Sequence, residues 1–275
     1  MPSSRRILRT PAILDLLPMP RYSQLPTILL LAFTVTSISN SAYAQDRPAV
    51  AQIVERAEVT ELWEPLPKQV QPGSAQTPPS DAIVLFDGST LEAWESVRGD
   101  DAEWNIEGNI LIVNPGTGLI KTKANFGSVQ LHVEWRTPAE IVGDSQDRGN
   151  SGIFLMDQYE VQVLDSIDNP TYVNGQASSI YKQHIPLVNA SLGPGQWQTY
   201  DIVFMAPLFG AEGRLVRPAT FTVFHNGILV QNNVVVQGPT EFIGKPNYLA
   251  HPDMPLALQD HGSPVAYRNI WLRKL

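Results

Sequence analysis

From Asp81 to the C-terminus, apolar and polar residues alternate in short runs broken by turn formers. The runs are WNIEGNILIV (104–113), SVQLHVEWRT (128–137), SGIFLM (151–156), YEVQVLD (159–165), WQTYDIVFM (197–205), ATFTVFHNGILVQNNVVV (219–236), PLALQDHG (255–262) and VAYRNIWLRKL (265–275). A period of two is the signature of a half-buried β-strand. Glu107-Gly108-Asn109 and Gly193-Pro194-Gly195 punctuate the runs, and Asn226-Gly227 between FTVFH and ILVQN predicts a two-residue hairpin. No helix-period segment exceeds a few turns. Many short antiparallel strands predict an all-β, two-sheet sandwich of jelly-roll type, because stacking or closing sheets is how such chains avoid open edges.

The first 80 residues follow other rules. Arg5, Arg6, Arg9 and Arg21 precede the apolar run TILLLAFTVTSI (27–38), and Ala42 and Ala44 form an A-x-A pattern before Gln45. Residues 1–44 therefore read as a secretory signal peptide cleaved after Ala44, with Met19 a more ordinary start than Met1. The apolar run is too short to span a bilayer as a stable helix, and no later run is longer. Residues 45–63 are polar and could form one short helix or strand. EPLPKQVQPGSAQTPPS (64–80) reads as an extended linker or a strap on the surface of the domain at 81–275.

Composition narrows the possibilities. Of 275 residues, 43% are hydrophobic and 17% charged, enough for a sizeable core. Losing the leader removes four Arg and one Asp and takes the formal charge from −8 to −11. Such an acidic chain is a poor partner for nucleic acid or an anionic membrane. It has no cysteine, so neither disulfides nor a lipid-acceptor thiol are available. Periplasmic or secreted residence in a bacterium, without a membrane anchor, is the expectation.

Three strands carry polar rows. In LHVEWRT, Leu131, Val133 and Trp135 share one face while His132, Glu134 and Arg136 share the other. In YEVQVLD, Tyr159, Val161 and Val163 face the core, and Glu160 and Gln162 point the opposite way, about 7 Å apart. The preceding Gly149-Asn150-Ser151-Gly152 lets backbone approach a ligand closely, with Asn150 as donor and acceptor. In LALQDHG, Gln259 and His261 share a face, and a histidine with an ordinary pKa near ~6.5 can act as acid or base. Each row is either a solvated surface or the wall of a polar groove, and periodicity alone does not choose. His225, beside Asn226-Gly227, reads as a turn residue.

Other chemistries find little support. The five histidines are dispersed and no His-x-x-x-His or Cys pair exists, so a zinc site is not expected. An oxygen-ligand site for a divalent cation such as calcium fits any acidic secreted sandwich, but no residues specify one. Nucleophile-elbow, phosphate-loop and dinucleotide motifs are absent.

The segments IVLFDGSTLEAW, GNSGIFL, YEVQVLDS, GQWQTYDIVF, TVFHNGILVQNN and LQDHGSPVAYRNIWLR, in this order over residues 81–275, resemble the 3-keto-disaccharide hydrolase domain family. The resemblance implies a concanavalin-A-like jelly roll, secreted or periplasmic, acting on glycosides that a separate dehydrogenase has oxidised at the sugar C3. It implies that the three polar rows share one groove. Glu160, His261 and Glu134 are then the catalytic candidates. Asn150, Ser151, Gln162, Asp165, Gln259 and Arg268 are the substrate-binding candidates, with His132 beside them.

A ketone at C3 acidifies the C2 proton, so a base can remove it and the enolate can expel the C1 substituent before water adds back. Glu160 or His261 could serve as the base, and Gln162, Asn150 or a bound cation could hold the oxyanion. Two rivals stand beside this reading. Related glucanases carry Glu-x-Asp-x-x-Glu on one strand, where this chain has Glu160-x-Gln162-x-x-Asp165, and glutamine at the centre departs from a two-carboxylate mechanism. A non-catalytic carbohydrate-binding module needs exposed aromatic platforms. Trp135, Trp197 and Trp271 read as buried in strands, which leaves Trp94 and Trp104 as platform candidates.

Overall fold

A computed structural model describes residues 56–74 and 77–275. The expected leader at 1–44, and 45–55 of the following segment, lie outside the described residues. The chain divides into a unit of residues 1–66, of which 56–66 are described and carry one helical turn, and a unit of residues 67–275.

The described residues of the second unit contain fifteen strands: β1 (Ile83–Phe86), β2 (Trp94–Ser96), β3 (Asn105–Glu107), β4 (Ile110–Ile112), β5 (Ile120–Phe126), β6 (Val129–Arg136), β7 (Ser151–Leu155), β8 (Tyr159–Val163), β9 (Gln198–Met205), β10 (Leu208–Phe209), β11 (Leu215–Arg217), β12 (Thr220–His225), β13 (Ile228–Val235), β14 (Met254–Leu258) and β15 (Ala266–Lys274). One sheet has eight strands in the order β13-β12-β9-β6-β15-β4-β3, with β1 also on β15; a second has five in the order β2-β5-β14-β7-β8; β10 and β11 pair separately. All the pairings are antiparallel.

The two larger sheets meet through the alternating residues that the sequence marked as apolar. Leu131, Val133 and Trp135 of β6 and Tyr200, Ile202 and Phe204 of β9 are fully buried, as are Tyr159, Val161 and Val163 of β8. Tyr159 and Phe204 meet across the interface with ring centroids 5.6 Å apart, and the Tyr200 hydroxyl donates to the Gln162 carbonyl at 2.8 Å. Each such aromatic contributes roughly 1.5–3 kcal/mol by leaving water. The unit is thus an all-β sandwich, and residues between the core positions necessarily point to its two outer faces.

The Asn226-Gly227 hairpin forms as the sequence predicts, with both residues at positive φ (52° and 77°) and His225 opposite Ile228. His225 itself is not a turn residue. It is fully buried, with Nδ1 2.8 Å from Ser178 Oγ and Nε2 2.8 Å from Gln198 Oε1. Burial lowers its pKa to about 3, so the ring is neutral. Trp135 is buried as expected, but the two platform candidates are not exposed. Trp94 and Trp104 are buried, their indole N–H groups donating to the carbonyls of Leu85 and Gly118, while Trp197 and Trp271 are half-buried.

Strand β15 contains a β-bulge. Tyr267 and Ile270 both face the core, so Arg268 and Asn269 between them both face outward, with Asn269 at φ 48° and the register against β6 shifted.

Candidate active site

The outer face of the five-stranded sheet floors a cavity at β7 and β8. The outer edge of β8 is covered by the segment that follows it: Ser178 and Tyr181 donate backbone bonds to the Gln162 and Glu160 carbonyls, and Gln162 donates to Ser179. The loop after β13 closes the same edge, because the Glu160 amide donates to Thr240 Oγ1 and the Thr240 amide donates to the Gln158 carbonyl. Edge coverage of this kind prevents strand addition and here also builds walls. They enclose a cavity of about 610 Å³ lined by Gln146, Asp147, Asn150, Phe154, Glu160, Gln162, Tyr172, Tyr181, Thr240, Phe242, Gln259 and His261.

Glu160 is 4% exposed, and among the described residues nothing hydrogen-bonds its carboxyl. Burial raises its pKa to about 8, so at neutral pH it rests largely protonated and is poised to lose or gain a proton. Gly152, cross-strand from Gln162, makes room for it: a Cβ there would lie 2.5 Å from Glu160 Oε1 and 2.8 Å from the Phe154 ring. The glycine in GNSG therefore serves close approach by a carboxyl.

The three amides beside Glu160 are oriented by logic that starts at backbone carbonyls, which only accept. Asn150 Nδ2 donates to the Gln146 carbonyl at 2.6 Å, and Gln146 Nε2 donates to the Gly175 carbonyl at 3.0 Å. Both side chains therefore turn an oxygen toward Gln162, whose Nε2 donates to Gln146 Oε1 at 3.1 Å and Asn150 Oδ1 at 3.3 Å. Gln162 Oε1 is left buried without a partner. A buried carbonyl oxygen of this kind is costly unless a ligand hydroxyl satisfies it. Both N–H groups of Gln162 are used, so it cannot hold an oxyanion as the sequence reading allowed; it is an acceptor. Gln259 and His261 have no side-chain partner among the described residues and supply the free polar atoms.

Five sequence candidates thus gather here: Asn150, Glu160, Gln162, Gln259 and His261. The others do not. Ser151 faces the core, accepting from Tyr267 Oη and donating to the Gln259 carbonyl, each at 2.6 Å, so it anchors the backbone of Gln259 and cannot touch a ligand. Asp165 is buried against Arg148, Oδ2 to Nε 2.8 Å, beside a separate cavity of about 260 Å³. Arg148 also donates to the carbonyls of Ile167 and Asp168, so the pair pins the turn after β8. The register of a glucanase triad therefore does not assemble.

His132, Glu134 and Arg268 lie on the other sheet. Glu134 Oε2 accepts from Arg268 Nε at 2.6 Å and its Oε1 from Asn269 Nδ2 at 2.8 Å; His132 Nδ1 is 2.7 Å from Asp201 Oδ1. The expected single groove is corrected by the fold: β6 and β15 belong to the eight-stranded sheet, whereas β7, β8 and β14 belong to the five-stranded one.

Tyr172, Tyr181, Thr240, Phe242 and Gln146 line the cavity from loops without periodicity, and the sequence offered no signal for them. Phe154 had one, an aromatic on the face of SGIFL opposite Ile153 and Leu155. Among the described residues no group of three or more His, Asp or Glu is arranged to hold a metal ion.

A crystal structure of a candidate glycosyl hydrolase from Parabacteroides distasonis ATCC 8503 is 50% identical, with a TM-score of 0.77 over 79% of this chain and 96% of that one. A second candidate glycosyl hydrolase from the same organism, 19% identical, matches with a TM-score of 0.51 over 70% of this chain and 94% of that one, a likeness of fold alone. A comparison with curated proteins finds no match. Residues 81–273 match the model of the 3-keto-alpha-glucoside-1,2-lyase-like domain, and the chain belongs to that family.

Proposed function

We propose that the protein is a glycoside-cleaving enzyme of the periplasm or extracellular space, a concanavalin-A-like jelly roll acting on glycosides with a ketone at C3. The observation that carries this is Glu160: a buried carboxyl with no hydrogen-bond partner, beside a glutamine acceptor where a conventional glycosidase would place its second carboxylate.

Ionised Glu160 takes the proton from C2, and the C2–H electron pair forms the enolate at C2, C3 and the C3 oxygen. The Gln259 amide stabilises the enolate oxygen. As the ketone reforms, the pair moves into a C1–C2 double bond, the C1–O bond breaks, and His261 gives its proton to the departing oxygen. Once the leaving group has gone, the proton on Glu160 exchanges with solvent; water then adds, its hydroxyl to C1 as His261 takes the proton that water sheds, and Glu160 delivers a proton to C2, giving net hydrolysis. Gln162 Oε1 accepts from a sugar hydroxyl and fixes the ring. Each acid–base role is worth about 10²–10⁴ in rate. A separate dehydrogenase must supply the ketone.

In deuterated water the released 3-keto sugar should carry deuterium at C2 from the first turnovers, above the level that the product acquires without enzyme. Retention of the original hydrogen would point to direct displacement at C1.

A further inference from the structure

We propose that the outer face of the eight-stranded sheet carries a second, non-catalytic binding site, for a neutral saccharide. The face holds a cavity of about 610 Å³, as large as the one over Glu160 and within the range of small-ligand sites. Its walls include Val84, Trp271, Arg268, Asn269, Asp87 and Asn109.

The site is built by the bulge in β15. A regular strand would have sent Arg268 and Asn269 to opposite faces; the bulge turns both outward, where they grip the two oxygens of Glu134, itself only 8% exposed. The grip fixes the directions of both side chains. Asn269 spends its N–H groups on Glu134 and His132, which leaves its oxygen as an acceptor. Arg268 uses Nε on Glu134 and lays its guanidinium 4.1 Å from the Trp197 ring centre, and its terminal nitrogens have no partner among the described residues. Asp87 commits Oδ1 to the Ser89 amide and hydroxyl and leaves Oδ2 open.

Trp271 is braced. His132 stacks on its indole at 5.1 Å and 13°, and Asp201 in turn holds His132. The cavity thus combines an immobilised aromatic surface with alternating donors and acceptors.

Charge selects the ligand. The Arg268 cation is answered by Glu134, and Asp87 adds a negative charge, so a phosphate or a uronate meets no net attraction. A single open carboxylate oxygen does not make a cation site. A neutral sugar fits, its C–H face on the indole and its hydroxyls bridging the Arg268 donors and the Asp87 and Asn269 acceptors. Because this cavity and the Glu160 cavity lie on different sheets, the protein could hold one part of a glycan while processing another.

The test is titration of the protein with cellobiose, maltose and trehalose, and with digalacturonate as an anionic control, followed by the indole N–H resonances. Trp271→Ala identifies one resonance, and melting temperatures of this variant and of Arg268→Gln check folding. Saturable binding of a neutral disaccharide that shifts the Trp271 resonance, weakens at least about tenfold in either folded variant and survives Gln162→Ala supports the site. Turnover of a small 3-keto-glucoside should be unchanged in both outer-face variants. Should those variants unfold, the conservative Trp271→Phe identifies the resonance, and its shift in the unaltered protein decides. Binding lost in Gln162→Ala but kept in Trp271→Ala and Arg268→Gln, preference for digalacturonate, or no saturable binding of any of the sugars would overturn it.

Discussion

The Glu160 carboxyl lies against Gly152, a glycine whose Cβ, if present, would come 2.5 Å from Oε1. A single methyl there must push the carboxyl off its seat, since the alternative direction meets the Phe154 ring. Gly152→Ala should fold, with a melting temperature lowered by several degrees, and should lose about 10² or more in kcat/KM, because a displaced base loses its alignment with the C2 proton. Steady-state kinetics beside a thermal melt checks this. Normal kinetics in the folded variant would remove Glu160 from the reaction.

The pH dependence follows from the same burial. Glu160 must be ionised to act as base and its pKa is raised to about 8, so the limb of the kcat/KM profile that Glu160 sets should climb through neutral pH toward about 8. Stability should run the opposite way. The folded state favours the protonated acid, so this contribution is complete below the unfolded value of 4.5 and is lost as pH rises to about 8. Glu160→Gln should therefore match the parent in melting temperature at pH 4 and exceed it by several degrees at pH 9, while being inactive. A constant difference across that range would contradict the buried, unpaired carboxyl.

Gln162 makes a sharper test of the amide relay. Glu at this position has no N–H to give, so it would set oxygen against the oxygens of Gln146 and Asn150, at a cost of about 1–3 kcal/mol for the unsatisfied groups. Gln162→Glu should raise KM strongly and lower the melting temperature. Gln162→Ala, which removes the acceptor without the repulsion, should raise KM with a smaller change in stability.

Asp165 separates structure from chemistry. Asp165→Asn leaves the Arg148 cation buried without its counter-charge, a loss of about 3–5 kcal/mol. The melting temperature should drop by roughly 10 °C, while kcat at a temperature where the variant is folded stays near the parent value. A collapse of kcat in the folded variant would return Asp165 to the catalytic site.

Strands were legible where apolar and polar positions alternate, as in β6, β8 and β9. Their inward residues are the apolar ones, and Glu160 and Gln162 were correctly paired on the outward face of β8. Which outward faces belong together was not legible. Periodicity orients a residue within its own strand and says nothing about which sheet the strand joins, so Glu134 and Arg268 were grouped with Glu160 across a boundary that only pairing defines. The Arg268-Asn269 bulge leaves only a faint trace in the sequence, two adjacent polar residues between Tyr267 and Ile270. Tyr172, Tyr181 and Phe242 reach the cavity because loop backbone pairs with the edge of β8, a long-range event without local pattern. His225 and Trp94 were misjudged because polar atoms in a core can be satisfied by partners distant in sequence, here Ser178, Gln198 and the Leu85 carbonyl.

The most direct test of the account compares one glucoside with its 3-keto counterpart, each incubated with the purified protein and with Glu160→Gln. Release of the aglycone from the 3-keto-glucoside alone, abolished in Glu160→Gln, is the predicted result. Equal cleavage of both glucosides by the parent protein, or full activity in Glu160→Gln, would contradict it.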